Sequence, residues 1–378
     1  MFRSLPRFVL LAALAAAPRA AETPIPAPPA VDARAYILID YRSGKVLASQ
    51  NALARMEPAS LTKLMTAYLV FEQLAAGKLK LEAPVVVSEH AWRSEGSRTF
   101  IELGKPVSVE LLIEGMIVQS GNDATIALAE HVAGTEGAFA EIMNAGAKRL
   151  GMLGTHFDNS SGLPAPQTYT TARDMSLLAV AIIRDFPQYY KYYSVREFEH
   201  NGIRQQNRNG LLGRDPSVDG LKTGHTESAG FCLVASALRD GMRLVSVVLG
   251  STSMKARENA SAALLNFGFT FYETKLVVKA GAALASAKVW KAAESPVGVG
   301  VREDLYLTVP RGQASEVKTA VEVQPKLIAP LRLDSTIGQL RVSAGNEPLA
   351  TLPVHPLKSV ASGGWWRRLI DTIRLWFE

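Results

Sequence analysis

Ser60 and Lys63 stand three residues apart, directly after Pro58 and Ala59. A serine hydroxyl becomes a nucleophile when a nearby base takes its proton. Positions i and i+3 of a helix share one face, so a helix that begins at Ser60 brings the lysine amine beside the hydroxyl. Lysine acts as a base only while it is neutral, which burial or a second cation favours by lowering its pKa. Lys222 is the candidate second cation. The pair therefore predicts a serine nucleophile that is activated by lysine.

A second motif, Ser120-Gly121-Asn122, lies at a glycine break between two helical patterns. A loop at that break can direct both polar side chains into a cleft. Ser120 could then relay a proton between Lys63 and a leaving amine, and Asn122 could hold Lys63 or hydrogen-bond a substrate amide. Taken alone, the motif is typical of a helix-breaking turn in which Asn122 caps the next helix.

A third motif, Lys222-Thr223-Gly224, precedes a loop and an apolar, strand-like run at 230–238. An extended edge at this point can align a peptide through main-chain hydrogen bonds. Lys222 and Thr223 would face a terminal carboxylate of the substrate, and Gly224 would let the backbone approach closely. His225 follows at once and is a candidate for substrate contact, with a plain loop histidine as the alternative.

The Ser-x-x-Lys pattern occurs a second time, at Ser315 and Lys318. This copy lies in a region of strand-like runs, where positions i and i+3 point to opposite faces. The same spacing therefore has no mechanism there, and we interpret the segment as a surface strand or loop.

The sequence does not indicate a zinc peptidase, a serine–histidine hydrolase, a cysteine nucleophile or a nucleic-acid-binding protein. The six histidines are scattered, without a His-Glu-x-x-His zinc motif or a serine–histidine elbow. The single cysteine, Cys232, lies in an apolar run, which predicts a buried, unreactive thiol. We predict neither a metal nor a cofactor. The formal net charge of +6 comes without a long Lys/Arg run, so nucleic-acid binding is not predicted.

The elements around the motifs indicate an α+β domain whose sheet joins early and late strands of the chain. Apolar runs at 35–40 and 45–50 flank one turn, and runs at 230–238 and 242–250 flank another, so each pair predicts a hairpin. Helical patterns occupy the block between them and follow the second hairpin. The predicted helices cover residues 61–76, 109–119 after an N-cap at Ser108, 122–133, 138–150, 171–184 and 256–267.

We predict four segments: a signal peptide at 1–21, a catalytic domain at 22–274, a small all-β domain at 275–358, and a hinge with an amphipathic helix at 359–378. A basic start, an apolar run and small residues indicate the signal peptide, with an uncleaved membrane anchor as the alternative. After residue 274, short strand-like runs alternate with turn residues. The predicted signal peptide implies that the protein is exported.

The C-terminal helix follows a flexible break at Ser362-Gly363-Gly364. Apolar and aromatic residues recur on one face, and arginines occupy the other, as is typical of a helix that lies on a bilayer surface. A helix docked on the protein's own core, or an oligomer contact, is the alternative. The predicted membrane face comprises Trp365, Trp366, Leu369, Ile370, Ile373, Trp376 and Phe377.

In their order, the three motifs are the set shared by penicillin-binding proteins and serine β-lactamases. The stretches 57–66, 115–124 and 218–226 resemble the corresponding segments of the D-alanyl-D-alanine carboxypeptidase family, the low-molecular-mass penicillin-binding proteins. The order of the four segments is also similar to that family. The resemblance implies a penicillin-binding/β-lactamase-like transpeptidase domain, in which an antiparallel sheet lies between helical lobes, followed by the all-β domain and the anchor helix.

The resemblance also implies an activity: a serine-type D-Ala-D-Ala carboxypeptidase that trims peptidoglycan pentapeptides at the periplasmic face of the bacterial inner membrane. Ser60 would form the acyl-enzyme, with Lys63 as proton acceptor and Ser120 assisting protonation of the departing D-Ala. Lys222 with Thr223 would bind the terminal carboxylate, and the backbone N–H of Ser60 would donate to the oxyanion. β-Lactams are expected to acylate Ser60, since they mimic the scissile amide.

Three alternatives stay open beside this activity. A class A β-lactamase adds a Glu-containing motif after Ser-x-Asn, and residues 156–163 show no such Glu-x-x-Leu-Asn pattern. D,D-endopeptidase or weak β-lactamase activity would use the same acyl-enzyme. A non-catalytic peptidoglycan-binding scaffold would usually lack Ser60 or Lys63, and both are present.

Overall fold

The strands of the first 251 residues gather into one central sheet and two short ribbons. The computed structural model describes residues 25–345 and 347–377, so the predicted signal peptide lies outside the described residues. The strands are β1 (Ala35–Asp40), β2 (Val46–Gln50), β3 (Pro84–Val86), β4 (Pro106–Ser108), β5 (Glu197–His200), β6 (Ile203–Gln206), β7 (Val218–Thr226), β8 (Gly230–Arg239) and β9 (Met242–Ser251). The central sheet is antiparallel, in the order β2-β1-β9-β8-β7. Both predicted hairpins and the pairing of early with late strands are confirmed.

Helices cover both faces of this sheet. They are α1 (Lys63–Ala75), α2 (Glu89–Trp92), α3 (Val109–Glu114), α4 (Asn122–Ala133), α5 (Glu136–Arg149), α6 (Ala172–Asp185), α7 (Pro187–Tyr190), α8 (Leu211–Arg214) and α9 (Met254–Phe271). A 3₁₀ turn, Ala59–Thr62, precedes α1, and another, Lys191–Ser194, follows α7. The helix predicted at 109–119 changes after Glu114 into a π turn, Gly115–Gln119.

Alternating side chains of the sheet build two cores, one on each face. In β1, Ile37 and Ile39 pack into the core that contains α1, whereas Leu38 joins the core that contains α9. This is the period of two expected of a strand that is buried on both faces. Helix α1 is buried along almost its whole length, so the lysine at its start is held by a rigid support.

The C-terminal region is a small all-β unit with its own core. Its strands are β10 (Tyr272–Val278), β11 (Ala285–Ala287), β12 (Val289–Trp290), β13 (Val297–Gly300), β14 (Leu305–Pro310), β15 (Val317–Val323), β16 (Leu327–Ile328), β17 (Gly338–Ala344) and β18 (Glu347–Pro356). The main sheet runs β11-β13-β18-β17-β15, and β10 pairs with β14 as a ribbon. Ser315 lies in a short 3₁₀ turn and Lys318 in β15, both exposed, as predicted for the second Ser-x-x-Lys copy.

A buried carboxylate joins the two units. Asp40, at the end of β1, is fully buried and accepts hydrogen bonds from the backbone N–H of Ser43 (2.7 Å) and the Thr274 hydroxyl (2.7 Å). Thr308 on β14 completes the network, 2.6 Å from Ser43 Oγ and 2.8 Å from Thr274 Oγ1. Since Thr274 and Thr308 belong to the β10–β14 ribbon, the network fixes that ribbon against the first hairpin of the central sheet.

Replacing Asp40 with alanine should loosen this junction. The substitution leaves the partly buried Ser43 N–H and Thr274 hydroxyl without their acceptor, which costs about 1–3 kcal/mol. We expect urea denaturation to show that loss in the free energy of unfolding. The exposed Glu82 offers a charge-matched control, Glu82→Ala, with an effect within about 0.5 kcal/mol. Equal stability of the two variants would contradict the role of Asp40.

Candidate active site

Ser60 and Lys63 meet at the start of α1. Ser60 lies in the 3₁₀ turn Ala59–Thr62, and Lys63 is the first residue of the α-helix. Lys63 Nζ lies 3.0 Å from Ser60 Oγ, which is hydrogen-bonding distance. Ser60 is partly exposed, whereas Lys63 is buried, so the hydroxyl faces the outside and the amine supports it from within.

Two further groups surround the Lys63 amine. Its Nζ donates to Asn122 Oδ1 (2.7 Å) and to the backbone carbonyl of Ser161 (2.6 Å). A neutral amine has two N–H groups and one lone pair. When both N–H groups are taken by these acceptors, the lone pair is left for the hydroxyl proton of Ser60. The arrangement therefore suits a neutral lysine that accepts a proton from serine.

Burial is the main reason for Lys63 to be neutral. Loss of solvent, followed by the positive charge of Arg208, lowers the pKa of Lys63 to about 7. The carboxylates of Glu136 and Asp123 act in the opposite direction. A pKa near 7 places the amine where it can exchange a proton at neutral pH.

Asn122 is the first residue of α4, and its side chain does not cap that helix. Gly121 is the N-cap residue and provides no side-chain hydrogen bond. The Asn122 amide instead accepts from Lys63 and donates through Nδ2 to the carbonyl of Glu95 (2.5 Å). Of the sequence-based interpretations of Asn122, the holding of Lys63 is the one that the geometry displays.

Ser120 takes an unusual backbone conformation to reach the same cleft. The π turn ends at Ser120, whose φ of 66° is left-handed, a strained state for a residue with a side chain. Lys222 Nζ donates to Ser120 Oγ (2.9 Å) and to the carbonyl of Thr223 (2.8 Å). Burial, followed by repulsion from Lys63, holds the pKa of Lys222 well below its usual range.

Lys222, Thr223 and Gly224 lie in β7, at the edge of the central sheet. A Cβ atom on Gly224 would stand 3.0 Å from the carbonyl oxygen of Pro58 and 3.2 Å from the backbone nitrogen of Ser60. Glycine therefore permits the close approach of this strand to the turn that carries the serine. His225 also lies in β7, and its ring stacks on Phe231 with centroids 3.9 Å apart.

Two arginines that sequence reasoning missed complete the cleft. Arg257 on α9 is buried and donates to the carbonyl of Gly224 (3.1 Å), and Arg208 Nε donates to the carbonyl of Gln119 (3.0 Å). Neither arginine lies in a motif; the tertiary fold brings them to the cleft. These two arginines give the space a positive charge, to which Lys222 adds when it is protonated. The cleft measures about 170 Å³ and is lined by Ser60, Ser97, Ser120, Arg208, Thr223, Gly224, His225, Phe231, Met254 and Arg257.

Cys232 stands apart from this chemistry. It is buried, so the prediction of a buried thiol is confirmed, and burial raises the pKa of the thiol to about 11, which disfavours the reactive thiolate. Among the residues that the structure describes, no group of three or more His, Cys, Asp or Glu side chains is placed to hold a metal ion.

An α+β domain that brings Ser-x-x-Lys, Ser-x-Asn and Lys-Thr-Gly around one cleft is of the penicillin-binding type. The family model described as D-alanyl-D-alanine carboxypeptidase matches residues 22–253, and the model described as penicillin-binding protein 5, C-terminal domain, matches residues 272–362. The chain belongs to the D-alanyl-D-alanine carboxypeptidase family. The family and the fold expected from the motifs are thereby confirmed.

Relatives and solved structures match over nearly the whole chain. D-alanyl-D-alanine carboxypeptidase DacA of Escherichia coli (strain K12) is 42% identical over 365 residues, covering 94% of this chain and 91% of that protein. DacC of the same organism is 43% identical over 367 residues, covering 95% and 92%. The structure of penicillin binding protein 5 from Haemophilus influenzae has a TM-score of 0.85 at 41% identity, covering 89% of this chain and 99% of that chain. Membership in this family favours the carboxypeptidase interpretation over a class A β-lactamase or a non-catalytic scaffold.

The protonation of Lys63 can be measured directly. We expect NMR correlations of the lysine Cε and Nζ atoms to include a signal with a midpoint of about pH 7, far below the usual lysine value of about 10.4. The signal should vanish in Lys63→Ala and persist in Lys318→Ala, which removes the exposed lysine of the second Ser-x-x-Lys copy. If every lysine of the wild-type protein titrates above about pH 9, Lys63 is not the neutral base described here.

Proposed function

We propose that the protein is a serine-type D-Ala-D-Ala carboxypeptidase that trims the terminal D-Ala from peptidoglycan stem peptides. The observation that carries this proposal is the buried Lys63 amine, whose two acceptors leave its lone pair for Ser60 Oγ. A positively charged cleft beside an edge strand supports a peptide substrate that ends in a carboxylate.

In the proposed reaction, Ser60 Oγ attacks the carbonyl carbon of the penultimate D-Ala while Lys63 takes the hydroxyl proton. Ser120 relays this proton from Lys63 to the nitrogen of the departing D-Ala as the C–N bond breaks, so that Lys63 is neutral again, Ser120 keeps its hydroxyl and an ester is left on Ser60. Water then cleaves that ester, releasing the shortened peptide and restoring the serine hydroxyl. The backbone N–H of Ser60 donates to the oxyanion.

The terminal carboxylate of the substrate is assigned to Lys222 and Thr223, with Arg257 adding positive charge beside them. The contact of Gly224 with the serine-bearing turn supports this assignment, because it holds the β7 edge next to the nucleophile. His225, stacked on Phe231 at the cleft wall, contacts the substrate beyond the reacting bond.

A β-lactam offers the same carbonyl and carboxylate, so we propose that it acylates Ser60. A related protein, penicillin-binding protein D2 from Listeria monocytogenes, has been solved in an ampicillin-bound form; it is 32% identical, covers 63% of this chain and 98% of that chain, and has a TM-score of 0.59.

A fluorescent penicillin tests the nucleophile. Wild-type protein should label, and Ser60→Ala should lose labelling because the attacking oxygen is gone. Ser315→Ala is the matched control, since it removes the serine of the second Ser-x-x-Lys copy, and it should label fully. Release of D-Ala from a synthetic pentapeptide should follow the same pattern. Labelling of Ser60→Ala, or a wild-type protein that releases no D-Ala, would contradict the proposal.

We further propose that the protein is exported and lies on the periplasmic face of the inner membrane through its C-terminal helix, α10 (Trp365–Arg374). Two polar contacts attach this helix to the β unit: the backbone N–H of Lys291 donates to Asp371 (2.6 Å), and Arg367 donates to the carbonyl of Ala293 (3.0 Å). The apolar side chains of the helix and its end remain outside, with Trp376 80% and Phe377 86% exposed.

This arrangement favours a membrane-surface helix over one docked through its apolar face on the protein's own core. Within the described part of the chain, no helix has the length and apolar character needed to cross a bilayer. The proposed membrane contacts are Trp365, Trp366, Leu369, Ile370, Ile373, Trp376 and Phe377.

Removal of residues 364–378 should release the protein from membranes and leave penicillin labelling intact. Ile373→Glu should weaken membrane binding in the full chain, because a charge on the apolar face opposes burial in lipid. Thr372→Ala, a change on the adjacent polar position, serves as the control. Sedimentation with membranes is the measurement, and a truncated protein that still sediments would defeat the anchor proposal.

A further inference from the structure

Glu136 binds Ser160, the residue before the one whose carbonyl accepts a hydrogen bond from the Lys63 amine. It is the first residue of α5, after the N-cap Thr135, and its side chain is only 15% exposed. Its Oε1 atom accepts hydrogen bonds from the backbone N–H (3.0 Å) and the hydroxyl (2.6 Å) of Ser160. The sequence singled out neither Glu136 nor Ser160, because neither belongs to the three motifs.

The segment that Glu136 holds is fixed against α1 as well. The carbonyl of Ser160 accepts from Thr66 Oγ1 (2.7 Å), and the carbonyl of Ser161 accepts from Lys63 Nζ (2.6 Å). Gly162 follows with a φ of +80°, and a Cβ atom there would stand 1.8 Å from the carbonyl oxygen of Ala59. The loop of residues 160–162 therefore packs closely against both Lys63 and the turn that carries Ser60.

We propose that Glu136 is a positioning residue: by holding Ser160, it places the Ser161 carbonyl so that this oxygen takes one N–H of Lys63 and leaves the amine lone pair for Ser60. The inference rests on the proposed acylation of Ser60. The Glu136 carboxylate touches neither Ser60 nor Lys63, and it acts on them only through the backbone carbonyl of Ser161.

The charge of Glu136 gives the proposal a second, independent readout. The charged groups around Lys63 are the carboxylates of Glu136 and Asp123, which raise its pKa, the Arg208 cation, which lowers it, and Lys222. Because the neutral amine is the base, acylation rises with pH through the pKa of Lys63. Loss of the Glu136 charge lowers that pKa, so the rise moves to lower pH.

Two variants separate position from charge. Glu136→Ala removes both, and we expect the second-order rate of acylation by a penicillin to fall on the order of 10- to 100-fold at all pH values, as misplaced catalytic groups do. Glu136→Gln keeps an acceptor for Ser160 and removes the charge. It should recover most of the lost rate at alkaline pH. The acid limb of its pH profile, the part over which the acylation rate rises with pH, should lie at lower pH than in the wild type. Stopped-flow acylation over about pH 5 to 10 measures both effects.

Two control variants test whether Lys63 is the group that produces the rise of the acylation rate with pH. Glu130→Gln removes the same charge from α4, where Glu130 accepts from Ser88 Oγ (2.5 Å), and should leave rate and limb unchanged. His90 faces the other oxygen of Glu136 (Nε2 to Oε2, 2.8 Å) and is exposed; His90→Ala should retain the limb, because Lys63 and not His90 produces it.

The proposal is overturned if Glu136→Ala acylates like the wild type, or if the acid limb of Glu136→Gln stays in place. The second result decides the matter even if Glu136→Ala does not fold. A wild-type protein that is not acylated would instead defeat the proposed function, so the two failures are distinguishable.

Discussion

Removal of the Lys63 amine from water is the constraint on which the rest of the site depends. A charged amine in this place has Lys222 and Arg208 as cationic neighbours and is shielded from water. Burial favours the neutral amine, whose remaining lone pair faces the partly exposed hydroxyl of Ser60. Nucleophile activation therefore follows from where the helix buries its first residue.

Such burial costs stability, and the sign of the cost can be worked out. The pKa of Lys63 lies at about 7 in the folded protein, against a usual 10.5. Between these values the unfolded chain holds a proton that the folded chain lacks, so this group destabilises the fold at neutral pH, on the order of 5 kcal/mol, and the penalty shrinks as pH rises. The left-handed Ser120 adds strain. Two large cores and the buried network around Asp40 supply stability elsewhere in the fold.

Local rules predicted the parts of this site that depend on local geometry. The spacing of Ser60 and Lys63 fixed their contact once a helix begins there, and the hairpin patterns indicated the central sheet. The structure adds what such rules do not reach. Lys222 meets Ser120 across 102 positions of sequence, and the Ser161 acceptor is a backbone carbonyl, which every residue possesses and no sequence pattern marks. Arg208 and Arg257 were missed because only the tertiary fold brings their side chains to the cleft, and Glu136 because only the fold brings it to Ser160.

The proposed reaction needs both a base, Lys63, and a carboxylate-binding cation, Lys222, in one cleft. Their like charges oppose each other, so full protonation of both is unfavourable, and each pKa is lowered by burial. In the proposed reaction, a substrate carboxylate that arrives beside Lys222 stabilises the charged form of that lysine. Of the two lysines, the one beside the carboxylate therefore holds the proton in the proposed reaction, and Lys63, held by Asn122 and the Ser161 carbonyl, is the one available as base. Ser120 accepts a hydrogen bond from Lys222, and a hydroxyl that is hydrogen-bonded to a cation is a better proton donor to the departing amine of the proposed reaction.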